Sequence, residues 1–279
     1  MSADQLMEYN QRCIQALPPA FTTIWIEDHF QFPESDALEC LTTLSFLAAA
    51  FPHMRLGTLV LCQSYRNPAL LAKMANNLHF LSKGRFTLGI GAGWHREEYQ
   101  AYDYPFPPYN MRLDQLEEAI LLIRSMMTTR PASFTGRYYH VREAYCDPQP
   151  SSPIPLLIGG GGEKRMLSLV AHYADWWNIN HCQPEDYARK VTLLHDKCER
   201  IGRNPEEIRL TYSTGTLKIT EQAYQSGQQT KKFTLAGTPD DIVHSLAAYR
   251  DSGVTHFMVK FPDLSTLERF MKYVLPCFV

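Results

Sequence analysis

Residues 155–165 read PLLIGGGGEKR, an apolar run, four consecutive glycines and a charged triplet. Each glycine costs about 0.5–1 kcal/mol against alanine inside regular structure, so four together require a reason. The apolar run Pro155–Ile158 has the length of a buried strand, and the residues after Gly162 resume a helical pattern through Leu167 and Val170. A glycine run between a strand end and a helix start leaves main-chain N–H groups free at the positive end of a helix dipole, which makes an anion site. Without Cβ atoms, a phosphate can reach several amides at once. On this reading Gly159, Gly160, Gly161 and Gly162 cradle a phosphate, and Lys164 and Arg165 sit in the first helical turn, where an anion offsets their charge. A tight turn with no ligand is the alternative. The spacing matches neither Gly-x4-Gly-Lys-Ser/Thr nor Gly-x-Gly-x-x-Gly.

Working outward, the same alternation recurs. Short β-branched and apolar runs in FTTIWIEDHF, MRLGTLVLC, RFTLGIGAG, IPLLIG, ADWWNIN, IRLTYSTGTLKI and HFMVKF read as seven strands. Between them lie helical patterns. One starts near Ser35 as N-cap; another, from Pro68, carries Leu71, Met74, Leu78 and Leu81 on one face and ends before Gly84. A third places Leu113, Leu116, Ile120, Ile123 and Met127 along one stripe, as core or dimer interface. Thr238, Pro239 and Asp241 mark a further helix start, and SFTGRYYHV reads as a hairpin around Gly136. Strands alternating with amphipathic helices give an α/β protein with a parallel sheet. A doubly wound sheet and a (β/α)8 TIM barrel both fit; 279 residues and the element count favour the barrel, as a single domain over 1–279. A barrel has eight strands, and this chain shows seven and begins on a helix. The first strand is therefore expected to be missing from this chain.

Composition narrows the class. Charged residues are 20%, hydrophobic ones 45%, and the net charge is −2, with acidic and basic residues interleaved. No basic stripe argues for nucleic acid, and no apolar run reaches the about 18 residues of a membrane span. The polar, acidic N-terminus is no secretory signal. Seven scattered cysteines show no zinc or disulfide spacing and read as reduced thiols of a cytoplasmic protein. No metal site is expected.

Several stretches in order, WIEDHF (25–30), residues 65–108 with GRFTLGIGAGWHREEY, MRLDQLEEAILLIRSM (111–126), PIPLLIGGGGEKRMLSLVAHYADWWN (153–178) and AGTPDDIVHSLAAYRDSGVTHFMV (236–259), resemble the luciferase-like superfamily of flavin- and deazaflavin-dependent enzymes. The branch they resemble most is that of oxidoreductases using coenzyme F-420 (F420). The resemblance implies a TIM barrel with the cofactor across its C-terminal mouth, a homodimer, and a small-molecule substrate. It assigns the glycine run to the cofactor phosphate, in agreement with the reading from the residues. His29 falls at the strand end where barrel chemistry sits, as an acid/base or ring-contacting residue, and Asp28 supports the cofactor or the loop. Ala92 and Gly93 would let a flat ring lie against the backbone, and Trp94 and Asn178 would line the substrate pocket. In related sugar-phosphate dehydrogenases Trp94's place holds a catalytic glutamate, which argues against that substrate here. Glu97 or Glu98 could substitute for that glutamate from one turn on, but a solvated helix face is the preferred reading. The resemblance also puts a cis peptide without proline near Leu59 or Val60, packing behind the ring, and gives Arg66 and Asn67 either cofactor-tail contacts or surface roles.

Three functions follow. The first is hydride transfer with F420 as cofactor. The second is an FMN-dependent monooxygenase fed by a separate reductase. The third is a non-catalytic binding or interaction protein, degenerate through the absent strand.

Overall fold

The structure, a computed structural model, describes residues 3–32, 36–150, 152–221 and 234–279, with side chains from Glu8 onward. In chain order the elements are α1 (Ala3–Gln15), β1 (Thr23–Ile26), α2 (Cys40–Ala50), β2 (Arg55–Thr58), β3 (Leu61–Cys62), α3 (Pro68–Leu81) and β4 (Phe86–Gly91). Then come α4 (Arg96–Ala101), α5 (Tyr109–Thr128), β5 (Ala132–Thr135), β6 (His140–Ala144), β7 (Leu156–Gly159), α6 (Met166–Tyr173) and β8 (Trp176–Asn180). The last are α7 (Pro184–Arg200), β9 (Arg209–Ile219), β10 (Thr234–Gly237), α8 (Pro239–Asp251), β11 (His256–Lys260) and α9 (Leu264–Tyr273). All seven expected strands are present, the second one interrupted between β2 and β3. The hairpin around Gly136 forms as β5 against antiparallel β6.

The chain divides into two compact units, one of residues 22–159 with the first seven residues, the other of residues 8–21 and 160–279. In the first, β1 pairs with β2, β2 with β4, and β4 with β7, all parallel. Among the described residues β1 pairs with β2 alone. Strand β4 is buried at all six positions, as a continuous FTLGIG run requires. Helix α3 begins on its Asn67 cap, whose side chain accepts from the amides of Ala69 and Leu70, so Asn67 is structural. Its inward face holds Leu71, Ala72, Ala75 and Leu78, whereas Leu81, expected on that face, is exposed as the last residue of the helix. Gly84 takes φ +82 just beyond, the left-handed turn that ends the helix. The α5 stripe is core along Leu113, Leu116, Ile120 and Ile123, each such side chain stabilising by about 1.5–3 kcal/mol.

Helix α2 starts later than its sequence pattern. Ser35 lies outside the described residues; the cap is Glu39, whose carboxylate takes the amides of Leu41 and Thr42.

In the second unit β9 is central, pairing in parallel with β8 along Arg209–Ser213, with β11 between Thr211 and Thr216, and with β10 along Thr216–Ile219. Strand β10 and helices α4 and α9 escape the sequence reading: β10 and α4 have only four and six residues, whereas α9 does place Leu264, Leu267 and Phe270 at helical spacing. The core here gathers Leu217, Ile219, Ile242, Leu246, Phe270 and Val274. Thr238 and Asp241 form the reciprocal capping box of α8, with Pro239 at its first position. No described helix is long and apolar enough to cross a membrane.

Candidate active site

The loop after β1 carries Asp28 and His29 in different environments. Asp28 is buried, and Arg66 grips it bidentately, with both N–O distances 2.8 Å. The Cys62 amide donates to the same carboxylate at 2.9 Å. Arg66 also reaches Glu39, the cap of α2. Burial works against the guanidinium, but the two carboxylates win and hold Arg66 firmly protonated. Asp28 and Arg66 thus spend their hydrogen bonds tying the β1 and β3 loops to α2.

His29 points elsewhere. Its Nδ1 lies 2.9 Å from Oε2 of Glu98. Glu98 is fully buried, which overturns the expectation of a solvated helix face; the neighbouring Glu97 side chain is 74% exposed and fits it. The buried carboxylate is well supplied: the amides of Phe30 and Gln31 donate to Oε1 at 2.8 and 3.3 Å, and the Tyr65 hydroxyl donates to Oε2 at 3.2 Å. Burial alone would raise its pKa, but the His29 and amide hydrogen bonds outweigh it and hold the carboxyl below its usual range. Tyr65 in turn is raised, first by burial and then by the charges around it. With Nδ1 engaged, Nε2 of His29 has no protein partner among the described residues. Three rings surround His29: Phe32 at 5.0 Å, His95 at 5.7 Å and Trp94 at 5.8 Å between centroids. Trp94 is 61% exposed and stacks on His95 at 4.9 Å.

Sequence reasoning offers Glu97 and Glu98 as equals and prefers a solvated face for both, because α4 has only six residues, too few for a periodic stripe to separate them. The usable signal is the pair Glu98-Tyr99, which forms the buried side of this helix.

The peptide Leu59–Val60 is cis, as the resemblance implies. A Cβ on Gly91 or Gly159 would come within 2.9 Å of the γ-methyls of Val60, and one on Gly89 within 1.9 Å of the Thr58 carbonyl. These glycines make room for the chain bearing Val60. Ala92 is buried, and Gly93, at φ +75, has Tyr99 Oη only 2.1 Å from where a Cβ would stand. The small residues at 91–93 are therefore required first by the protein's own packing.

In the second unit the glycine loop divides its labour. Gly160, at φ +135, donates its N–H to the Asn178 carbonyl, and its carbonyl accepts from Trp177 Nε1, both at 2.9 Å. A Cβ on Gly161 would stand 2.1 Å from Ile179 Cδ1, and the Gly161 carbonyl takes Lys190 Nζ at 2.9 Å. The amides of Gly161 and Gly162 meet no acceptor among the described residues. Lys164 and Arg165 precede α6 in a turn, one step earlier than the first-turn placement expected. Lys164 is exposed, and Glu163 beside it is held down to about 2 by hydrogen bonds from Arg189 and Lys190. The Asn178 side chain is buried, donating to Thr211 Oγ1 and Met258 Sδ at 3.0 Å.

Comparison with known proteins places this geometry. A family model described as luciferase-like monooxygenase matches residues 18–223. The F420-dependent glucose-6-phosphate dehydrogenase of Intrasporangium calvum is 34% identical, over 99% of this chain and 96% of its own length. The enzyme of the same name from Kineococcus radiotolerans is 34% identical, over 94% and 90%. Among solved structures, an F420-dependent secondary alcohol dehydrogenase in complex with an F420–acetone adduct matches with TM-score 0.86 at 17% identity, covering 99% of this chain and 95% of its own. That last likeness speaks for the α/β fold, which is the luciferase-like one expected. By the extent of the family match and the identity of its relatives, the chain belongs to the luciferase-like monooxygenase family.

Proposed function

We propose that this protein is an F420-dependent oxidoreductase that passes a hydride to or from a small organic substrate, with His29 as its acid/base. The names of its relatives support the cofactor, and the carrying observation is the His29–Glu98 pair. Glu98 accepts from Nδ1 and fixes the tautomer, leaving Nε2 as the acceptor. In the oxidative direction Nε2 takes the proton of a substrate hydroxyl, and Glu98 stabilises the imidazolium; in the reductive direction the same atom returns it.

The residues present fit the cofactor's charged part. Two unpartnered amides, at Gly161 and Gly162, suit a phosphate oxygen, with exposed Lys164 adding charge. Bound, the deazaflavin supplies the two-electron hydride chemistry, and the chain's own tasks are binding, orientation and proton handling. Trp94 and Phe32 give His29 flat apolar neighbours, which suits an uncharged alcohol or carbonyl better than a sugar phosphate.

Fluorescence titration with F420 and with FMN tests this reading. Saturable F420 binding, with turnover of alcohols lost about 10²–10⁴-fold in His29→Ala while binding is retained, is the expected result. Absence of saturable F420 binding would refute it. Preferential FMN binding with oxygen uptake would replace it with the monooxygenase reading.

A further inference from the structure

His29 and His95 both aim a ring nitrogen at the carboxylate of Glu98. Oε2 of Glu98 is 2.9 Å from His29 Nδ1 and 3.1 Å from His95 Nδ1, and the three ligand atoms lie within 4.8 Å of one another. The two contacts differ in kind. His29 makes a hydrogen bond, whereas His95 Nδ1 is buried and lacks a hydrogen-bond partner despite its proximity. An orphaned imidazole nitrogen facing a buried carboxylate oxygen is a group waiting for something other than a hydrogen.

We infer that His29, His95 and Glu98 form a site for a divalent ion of the zinc class. Two imidazoles and one carboxylate are the donor set such an ion prefers. Metal–ligand bonds of about 2.0–2.1 Å put neighbouring tetrahedral ligands about 3.3 Å apart, so the two histidine–carboxylate separations need to open by only a few tenths of an ångström, and the two histidines, within 4.8 Å, are near enough to share one ion. The side chains are 17% and 23% exposed for the histidines and 1% for Glu98. The histidine rings thus reach solvent at their edges while Nδ1 of His95 is itself buried, so three protein donors converge and a fourth coordination position falls to water. The outer contacts match as well. His95 Nε2 lies 3.5 Å from the Glu97 carboxylate, the kind of partner that orients a metal-bound histidine. Oε1 of Glu98 is fixed by the amides of Phe30 and Gln31, while Oε2, which also accepts from the Tyr65 hydroxyl, faces both imidazoles.

The site also has a chemical consequence, which rests on the function proposed above. Coordination through Nδ1 moves the imidazole proton of His29 to Nε2. The atom proposed to accept the substrate proton becomes a donor, so an ion held here switches the acid/base off. The protein would be active without the ion and inhibited by it.

The test uses the purified full chain, first stripped with chelator, and Co²⁺ as a spectroscopic probe. Visible ligand-field bands of low-coordinate cobalt should appear at one equivalent and vanish on adding one equivalent of Zn²⁺. His95→Ala should weaken Zn²⁺ binding, measured by calorimetry, at least about 100-fold, and Glu97→Gln about 10-fold. Both variants should keep the far-ultraviolet circular dichroism and basal turnover of the parent. Absence of cobalt bands in the parent, or undiminished Zn²⁺ affinity in His95→Ala, would overturn the site. Binding that is intact but leaves turnover unchanged would overturn the inhibitory role alone. Because cobalt spectra and calorimetry do not depend on F420, the site can fail while the redox reading stands, and the reverse.

Discussion

The Nδ1 of His29 and the Oε2 of Glu98 lie 2.9 Å apart although 69 positions separate them in the chain. One partner is half-buried at a strand end and the other fully buried on a six-residue helix. That contact sets the histidine tautomer, and it makes the carboxylate the centre of a small polar network under three aromatic rings.

Glu98→Gln should expose the electrostatic part of this network. The carboxyl titrates below its ordinary 4.5 in the folded protein, so its contribution is fully present above that value and is lost as pH falls through the lower folded value. Melting temperatures from pH 7 down to pH 3 should therefore show a shallower acid decline in Glu98→Gln than in the parent. At neutral pH the variant should be less stable by about 1–3 kcal/mol, because an amide cannot accept from all the donors around it. An identical acid limb in both proteins would remove Glu98 from the account.

Asp28 and Arg66 predict a stability defect rather than a binding one. Removing one partner of a buried, bidentate pair leaves the other charge uncompensated, at about 3–5 kcal/mol. Urea unfolding of Asp28→Asn should show a loss of that order. Arg66→Lys should lose stability as well, since an ammonium cannot reproduce the two parallel 2.8 Å contacts. Both variants should keep cofactor affinity per folded molecule.

Val60 and Gly159 should be coupled. Alanine at 159 would place its Cβ 2.9 Å from both γ-methyls of Val60, and overpacking of this kind destabilises by about 1–3 kcal/mol. Removing the methyls with Val60→Ala should relieve most of the penalty, so a double-mutant cycle should give a non-additive term of about 0.5–3 kcal/mol. Strict additivity would show that the two side chains do not meet.

Of the four tryptophans, Trp94 is 61% exposed, Trp25 is half-buried, and Trp176 and Trp177 are buried. Acrylamide should quench the parent's fluorescence chiefly through Trp94, and Trp94→Phe should lose most of that quenching. Saturating F420 should protect the parent from acrylamide. Unprotected Trp94 in the bound state would place the cofactor away from this ring.

Sequence reading reached a good part of this protein because much of it is written in short-range patterns. The seven main strands, the hairpin at Gly136, the Asn67-Pro68 start of α3 and the Thr238–Asp241 capping box each depend on residues within a few positions of one another. The resemblance located the cis Leu59–Val60 peptide as well. The start of α2 was misplaced because Ser35 is a good cap by type, while Glu39 has the carboxylate that the helix uses.

What the chain by itself determined is the succession of strands and helices, the glycine run at a strand end, and His29 at another, since dihedral preference and periodicity act locally. Only the tertiary structure decided which charges are buried and which glycines are spoken for. Glu97 and Glu98 are equivalent in one dimension, yet one is 74% exposed and the other supports His29. Gly159 and Gly160 look like ligand contacts until Val60 fills the space beside the first and the Asn178 carbonyl takes the amide of the second. Burial is a property of what packs against a residue, and those neighbours come from far along the chain, so no local pattern encodes it.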